Sequence, residues 1–228
     1  MNQIDIEKLT APPNSWHMIR SMGGVGLFCA LLIVFTYQTT LPIITKNKAE
    51  ALEKAVFDVL PGTKTKVTFK ITDQNEVERF QGDSPGKKLV YAGYDDQNSL
   101  VGIAIEASGK GFQDELKIIY GYSPASQNII GMKVLETKET PGLGDKIEKD
   151  PAFVRNFESL DASLNQGGDE VKNRIVTVKS GEKKNPWEIS GITGATISSK
   201  AVGQILAEST SYWIPILYNK IDKIKGYR

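Results

Sequence analysis

The stretch SGITGATISSKAV, residues 190–202, concentrates hydroxyl groups and small side chains at the start of a predicted helix. The first backbone N–H groups of a helix lack intrahelical partners and carry partial positive charge, so small neighbours let a phosphate approach them. The residues allow two interpretations: ordinary capping by Thr196 or Ser198, which physics alone favours, or a phosphate site. The candidate site residues here are Ser190, Thr193, Gly194, Ala195, Thr196, Ile197, Ser198 and Ser199.

A second candidate is the stretch ETPGLGDK, residues 139–146, between a predicted strand and a predicted helix. Two glycines and a proline predict a tight, defined loop, and loops held by a rigid sheet often carry function. Composition alone allows a connection without chemistry equally well. The candidate residues are Glu139, Thr140, Gly142, Leu143 and Gly144.

The stretch SGKGFQDE around Lys110 suggests a nucleotide-binding loop but does not match the phosphate-loop pattern. Ala104 stands where the pattern needs its first glycine, and Gly111 stands where it needs serine or threonine. We therefore predict a glycine-rich turn between strands. Gly109 and Gly111 could still let the backbone approach a planar ligand.

Composition excludes several classes of function. The net charge is +1 and the pI about 7.7, unlike the basic character of nucleic-acid-binding proteins. Cys29 and His17 are the only residues of their types, which excludes an internal disulfide and a zinc or iron–sulfur cluster. A serine or cysteine hydrolase would have to use His17, beside the predicted anchor, so we predict no catalytic residue and no metal site.

Residues 23–44 carry no charge and, at about 1.5 Å per residue, match the hydrocarbon core of a bilayer. A buried soluble helix, a cleaved signal peptide and a lipoprotein signal at Cys29 are the alternatives. The length, the late start and bulky Phe28 before the cysteine favour a retained transmembrane helix, which Pro42 should end or kink. Basic residues flank both sides, so charge does not determine orientation.

The remaining pattern predicts an α+β fold in which a mainly antiparallel sheet follows one N-terminal transmembrane helix. Apolar spacing predicts a helix over 46–60 and another after Thr196, and Asp150 should cap a helix over 150–160. The C-terminal segment predicts a helix broken near Pro215 with a solvated basic tail; membrane or partner contact is its alternative. Strands are predicted at 66–71, 88–94, 99–107, 115–123, 127–139 and 173–180. We predict these segments: 1–22 cytoplasmic, 23–44 transmembrane, 45–62 stalk helix, 63–210 binding domain and 211–228 tail.

The order ETPGLGD, short helix, strand and TGATISSKAV, behind a membrane anchor, resembles the FMN-binding domain family. This family includes the G subunit of the Rnf electron-transport complex and the C subunit of the sodium-pumping NADH:quinone reductase. The resemblance covers essentially the whole chain. It implies FMN bound covalently through a phosphodiester to Thr196, attached by a flavin transferase that uses FAD and magnesium. It also implies that the ETPGLG loop lies near the isoalloxazine ring, and that Ser190 replaces a usual aspartate.

The resemblance further implies an electron-relay subunit of an ion-translocating ferredoxin:NAD oxidoreductase, with partner subunits and a single-pass anchor. Its soluble domain would lie on the periplasmic side of the bacterial inner membrane. ETPGLGDK favours the Rnf type over the quinone-reductase type. An anchored, non-redox binding or scaffolding module is the second hypothesis. A lone flavoenzyme is the third, disfavoured because no residue resembles a poised acid or base.

Overall fold

The computed structural model describes residues 15–81 and 88–226. The turn predicted at GDSPGK, residues 82–87, and most of the predicted cytoplasmic segment, residues 1–14, lie outside the described residues. Contacts within the chain divide it into residues 1–50 and residues 51–228. The bounds of the five predicted segments stay a prediction.

Helix α1 spans Ser15–Val59, and its part before residue 51 is exposed along nearly its whole length. By length and composition this helix can cross a membrane. Pro42 lies inside α1, so of the two predicted outcomes, an end or a kink, the end is wrong. A proline removes one backbone hydrogen bond, here the one to the Gln38 carbonyl four residues earlier. The hydroxyls of Thr40 and Thr45 lie nearby and donate to the carbonyls of Thr36 and Leu41 at 2.8 and 2.9 Å.

Within residues 51–81 and 88–226, seven strands form one sheet whose neighbouring strands are all antiparallel. The α+β fold with a mainly antiparallel sheet is therefore confirmed. The predicted strand over 127–139 ends at residue 136, which leaves the ETPGLG segment free as a loop. In the order β2-β1-β3-β4-β5-β6-β7, the strands are Val77–Arg79, Thr65–Ile71, Leu89–Tyr94, Leu100–Lys110, Glu115–Ser123, Asn128–Glu136 and Leu160–Asp161.

Alternate strand residues point to opposite faces of the sheet, and each face is covered by other parts of the chain. On one face, the last turns of α1 bury Ala55, Val56 and Val59 against strands β3, β4 and β5. A Cβ at Gly121 would overlap the carbonyl of Val59, so this glycine permits the close approach. The larger core lies on the other face, under the long C-terminal helix.

The helix predicted over 150–160 is shorter than expected. Helix α2 spans Lys146–Lys149, α3 spans Pro151–Val154, and a 3-10 turn covers Arg155–Phe157. The Asp150 cap is confirmed, because its Oδ1 accepts from the Ala152 N–H at 2.8 Å. The Asn156 side chain donates to the Phe153 carbonyl at 3.0 Å, and such side-chain bonds compete with helical ones.

The strand predicted over 173–180 is reduced to β8, Val176–Val178. It pairs in parallel with β9, Glu188–Ser190, a strand that the sequence analysis missed. The Thr177 hydroxyl of β8 donates to the Ser199 carbonyl at 3.1 Å, and a Cβ at Gly203 would overlap that hydroxyl. This small sheet therefore holds the segment that leads into the last long helix.

Helix α4 spans Thr196–Asn219 and runs through Pro215; α5 follows at Ile221–Lys225. The predicted break near Pro215 is wrong, and the predicted solvation of the basic tail holds for exposed side chains such as those of Lys223 and Lys225 but not for its apolar residues. Leu217 and Ile224 are buried, and the Tyr94 hydroxyl donates to the Ile224 carbonyl at 2.6 Å. Burial of apolar side chains in this last segment outweighs the single hydrogen bond lost at a proline.

Candidate functional site

The two candidate segments meet at a cavity of about 310 Å³. Its walls come from the loop after β6, the N-terminal end of α4 and the turn between β4 and β5. The arrangement brings together residues that are far apart in sequence: Glu139 is 27 positions from Phe112 and 59 from Ser198. The lining residues are Phe112, Glu139, Thr140, Leu143, Gly144, Gly194, Ala195, Thr196, Ile197 and Ser198.

Helix α4 begins at Thr196 with Ala195 in the cap position, and no side chain caps this end. The capping interpretation is therefore wrong for both Thr196 and Ser198. Thr196 is exposed, whereas Ser198 is buried and its hydroxyl points to Glu139. Gly194 has φ +86°, in the left-handed region that favours glycine. The first turn of α4 thus presents its backbone N–H groups beside an exposed hydroxyl.

Glu139 connects three parts of the cavity wall. Its side chain is buried, with 7% of the residue exposed. Oε1 accepts from the Phe112 N–H, and Oε2 accepts from the Ser198 hydroxyl, each at 2.6 Å. A Cβ at Gly111 or Gly144 would overlap one of the Glu139 carboxylate oxygens. These two glycines therefore make the space that the carboxylate occupies.

The loop after Glu139 is a tight turn. The Thr140 carbonyl accepts from the N–H groups of Leu143 and Gly144, at 3.1 and 3.0 Å. The Gln113 amide donates to the Thr140 hydroxyl at 3.0 Å and joins this turn to the one between β4 and β5. Gly142 does not line the cavity, but its φ of +78° allows the turn.

Three large apolar side chains stand around the cavity: Phe112, Leu143 and Ile197 are 56, 52 and 56% exposed. Apolar surface beside a few convergent polar groups is typical of a small-molecule site. Sequence reasoning missed Phe112. The available signal was a large aromatic residue directly after Gly111, in a turn where hydrophobic residues are unusual.

Ser190 and Thr193 lie elsewhere. Both line a neighbouring cavity of about 330 Å³, which also contacts Lys146 and Asp150. The Ser190 hydroxyl accepts from the backbone N–H of Gly181 at 3.2 Å. Neither residue therefore lines the cavity that contains Thr196.

Two buried side chains hold the segment between β9 and α4 in place. Asn156 donates to the Ser190 carbonyl at 3.2 Å and accepts from the Ser190 N–H at 3.0 Å. The Ser199 hydroxyl donates to the Ala195 carbonyl at 2.8 Å and accepts from the Ile192 N–H at 3.1 Å. Ser199 therefore shapes the entry to α4 from beneath.

Ion pairs flank the site on the surface. A hydrogen bond from Lys149 lowers the pKa of Asp145, and a hydrogen bond from Lys138 lowers the pKa of Asp114. Both carboxylates are therefore held in their charged form, which suits structural pairs better than proton transfer. Across residues 15–81 and 88–226, no three His, Cys, Asp or Glu side chains group as metal ligands.

Residues 111–210 match the family model described as FMN-binding domain, a range that includes every lining residue of the first cavity. The chain is 28% identical over 197 residues to the G subunit of the ion-translocating oxidoreductase complex of Methanosarcina acetivorans, covering 86% of this chain and 92% of the relative. It is 27% identical over 197 residues to the G subunit of the Na(+)-translocating ferredoxin:NAD(+) oxidoreductase complex of Acetobacterium woodii, covering 82% and 87%.

Solved structures share the fold. NqrC of Shewanella oneidensis superposes with a TM-score of 0.58 at 16% identity, over 80% of this chain and 100% of the other. The C subunit of the Na(+)-translocating NADH-quinone reductase of Parabacteroides distasonis gives 0.57 at 21% identity, over 76% and 95%. At these identities the likeness concerns the fold alone.

Proposed function

We propose that Thr196 carries the FMN of this chain, which contains an FMN-binding domain and is similar over most of its length to G subunits of ion-translocating oxidoreductase complexes. The chain is a flavoprotein subunit that passes electrons within an ion-translocating ferredoxin:NAD oxidoreductase complex. FMN supplies the electron-transfer chemistry when bound, and the protein positions and tunes it. A component of the quinone-reductase type is a secondary alternative, because only the fold supports it.

The residues present fit FMN. The proposal depends on the position of Thr196. This exposed residue is the first of α4, whose N-terminal end has no side-chain cap, and it lines the same cavity as the ETPGLG loop. The backbone N–H groups of this helix end suit a phosphate. The exposed apolar side chains of Phe112, Leu143 and Ile197 suit a planar aromatic ring. A volume of about 310 Å³ lies at the lower end of the usual range for ligand sites.

We propose that the attachment is a phosphodiester formed by a separate flavin transferase. The Thr196 Oγ1 forms a bond to the flavin-side phosphorus of FAD, the bond from that phosphorus to AMP breaks, and the hydroxyl proton leaves to solvent or a base. AMP departs, with magnesium held by the transferase. The exposure of Thr196 supports access by a second protein. A covalent tether keeps the cofactor from being lost by dilution outside the cytoplasm.

Thr196→Val tests this proposal, with Thr193→Val as its matched control. Both threonines are exposed and three positions apart, but Thr193 lines the neighbouring cavity. Each full-length protein is produced together with a flavin transferase, and flavin fluorescence is read from a denaturing gel, with intact mass as confirmation. We expect the signal from wild type and Thr193→Val and none from Thr196→Val. A fluorescent Thr196→Val band would exclude Thr196 as the attachment residue, and bare wild-type polypeptide would favour a non-redox module.

We also propose that the domain after α1 lies on the periplasmic side of the bacterial inner membrane. α1 supports the anchor itself. Cys29, the only cysteine of the chain, is first replaced by serine. Asp96→Cys and Ser15→Cys, both at exposed positions, are then introduced one at a time. A membrane-impermeant maleimide should label Asp96→Cys but not Ser15→Cys in intact cells, and the reverse pattern would contradict the proposed orientation.

A further inference from the structure

Glu139 is a buried carboxylate in the cavity wall, and among the described residues its charge has no cationic partner. Within residues 15–81 and 88–226, it forms no salt bridge. Lys138 and Lys149, on the same stretch of chain, pair with Asp114 and Asp145 instead. Burial of an unpaired charge is costly, so such a charge is rarely retained without compensation.

The compensation comes from neutral donors and from a helix end. Both carboxylate oxygens accept hydrogen bonds of 2.6 Å, one from the Phe112 N–H and one from the Ser198 hydroxyl. Hydrogen bonds to charged acceptors are stronger than neutral ones. Ser198 lies in the first turn of α4, where the helix dipole favours negative charge. The negative charge is thus stabilised without being cancelled.

We propose that the negative charge of Glu139 lowers the reduction potential of the FMN in this cavity. The inference rests on the proposed function, because it needs FMN at the site. Glu139 and Thr196 line the same cavity, and a buried charge such as that of Glu139 acts on its surroundings more strongly than a charge in bulk water. Two-electron reduction adds negative charge to the ring unless two protons accompany the electrons. A fixed carboxylate in the wall of the same cavity therefore favours the oxidised form.

Three substitutions separate charge from shape. Glu139→Gln removes the charge and preserves the size of the side chain. Glu139→Asp retains the charge but shortens the side chain, which weakens the bonds to Phe112 and Ser198. Glu148→Gln, at an exposed position on α2, is the matched control for loss of one carboxylate.

The measurement is a reductive titration of full-length, detergent-solubilised protein made with a flavin transferase. Dithionite supplies the electrons, a reference dye reports the potential, and flavin absorbance reports the reduced fraction. In Glu139→Gln we expect the reduced-to-oxidised ratio at a given potential to rise about tenfold, which is about 30 mV for a two-electron couple. Glu148→Gln should leave the potential unchanged. Glu139→Asp should shift it less than Glu139→Gln does, although it lowers the melting temperature more.

Each outcome separates this inference from the proposed function. Flavin-loaded Glu139→Gln with a wild-type potential would overturn the inference alone. A wild-type protein without flavin would overturn the proposed function, and the inference with it. If neither Glu139→Gln nor Glu139→Asp takes up flavin while Glu148→Gln does, Glu139 serves attachment and the charge proposal is wrong. An equal shift in Glu139→Gln and Glu139→Asp would assign the effect to altered packing and overturn the proposal as well.

Discussion

The two ends of α4 differ in how they are held. At the N-terminal end, Thr196 is exposed, no side chain caps the helix and Gly194 adopts a left-handed conformation. At the C-terminal end, Leu217 is buried, and the following α5 is tied to the sheet by the bond from Tyr94. The same helix therefore offers a site at one end and is fixed to the core at the other.

This difference shows how a domain supports an unsatisfied helix end. The absence of a capping side chain costs about 1 kcal/mol. The positive φ at Gly194 favours glycine, which loses more conformational entropy on folding than any other residue. The cost is offset by burial along α4 and by the contacts of its far end. Substitutions at the first end should therefore mainly alter flavin attachment, and substitutions at the second should mainly alter stability.

The largest effect is expected from Gly144→Ala, in the loop beside the N-terminal end of α4. The new Cβ would overlap the Glu139 carboxylate and lie 2.9 Å from the Ser198 hydroxyl. Because both side chains are buried and bonded, we expect the flavin-bearing fraction to fall at least tenfold and the free energy of unfolding to fall by about 1–3 kcal/mol. Intact mass and urea unfolding measure the two effects.

Gly167→Ala is the control for that substitution. Its Cβ would approach the Asp169 carboxylate at 2.8 Å, but that side chain is exposed and can rotate away. Near wild-type stability and flavin content are expected. Normal flavin content in Gly144→Ala would mean that the cavity adapts and that the close fit around Glu139 does not govern attachment.

An intermediate effect is expected from Tyr94→Phe on strand β3, because the Tyr94 hydroxyl holds the segment after the C-terminal end of α4. The substitution removes the hydroxyl that donates to the Ile224 carbonyl within the core. We expect a loss of about 1–2 kcal/mol in the free energy of unfolding, with the flavin-bearing fraction unchanged. Tyr218→Phe, at an exposed position, should change neither quantity. Loss of flavin in Tyr94→Phe would show that the two ends are coupled, contrary to the comparison.

The smallest effect concerns pH. Hydrogen bonds from Lys220 and Lys223 lower the pKa of Glu76 from 4.5 to about 2. The contribution of these two ion pairs to the free energy of unfolding is therefore complete above about pH 4.5 and is lost as the pH falls towards 2. Urea unfolding of wild type and Glu76→Gln at pH 2.5 and 5.5 should show a smaller pH dependence in the variant. Identical pH dependence would indicate that these exposed contacts do not hold the last helices.

Much of the fold could be predicted from the sequence, because strands and long helices follow local periodicity. Strand β5 matches its predicted range, and α1 ends at Val59, just before Pro61 and Gly62, as expected. β9 was missed because its three residues are too few to show a periodic pattern. The break predicted at Pro215 is wrong for another reason: local propensity opposes the helix there, and burial against the rest of the domain outweighs it.

The sequence by itself determined the long apolar N-terminal helix, the fold class and the two segments that line the candidate cavity, since these depend on composition, periodicity and motif. The tertiary structure alone decided that Phe112 belongs to the site and that Ser190 faces another cavity. It also decided that Glu139 is buried against Ser198. The physical reason is that burial and charge compensation arise from contacts between segments far apart in the chain, which no local pattern encodes.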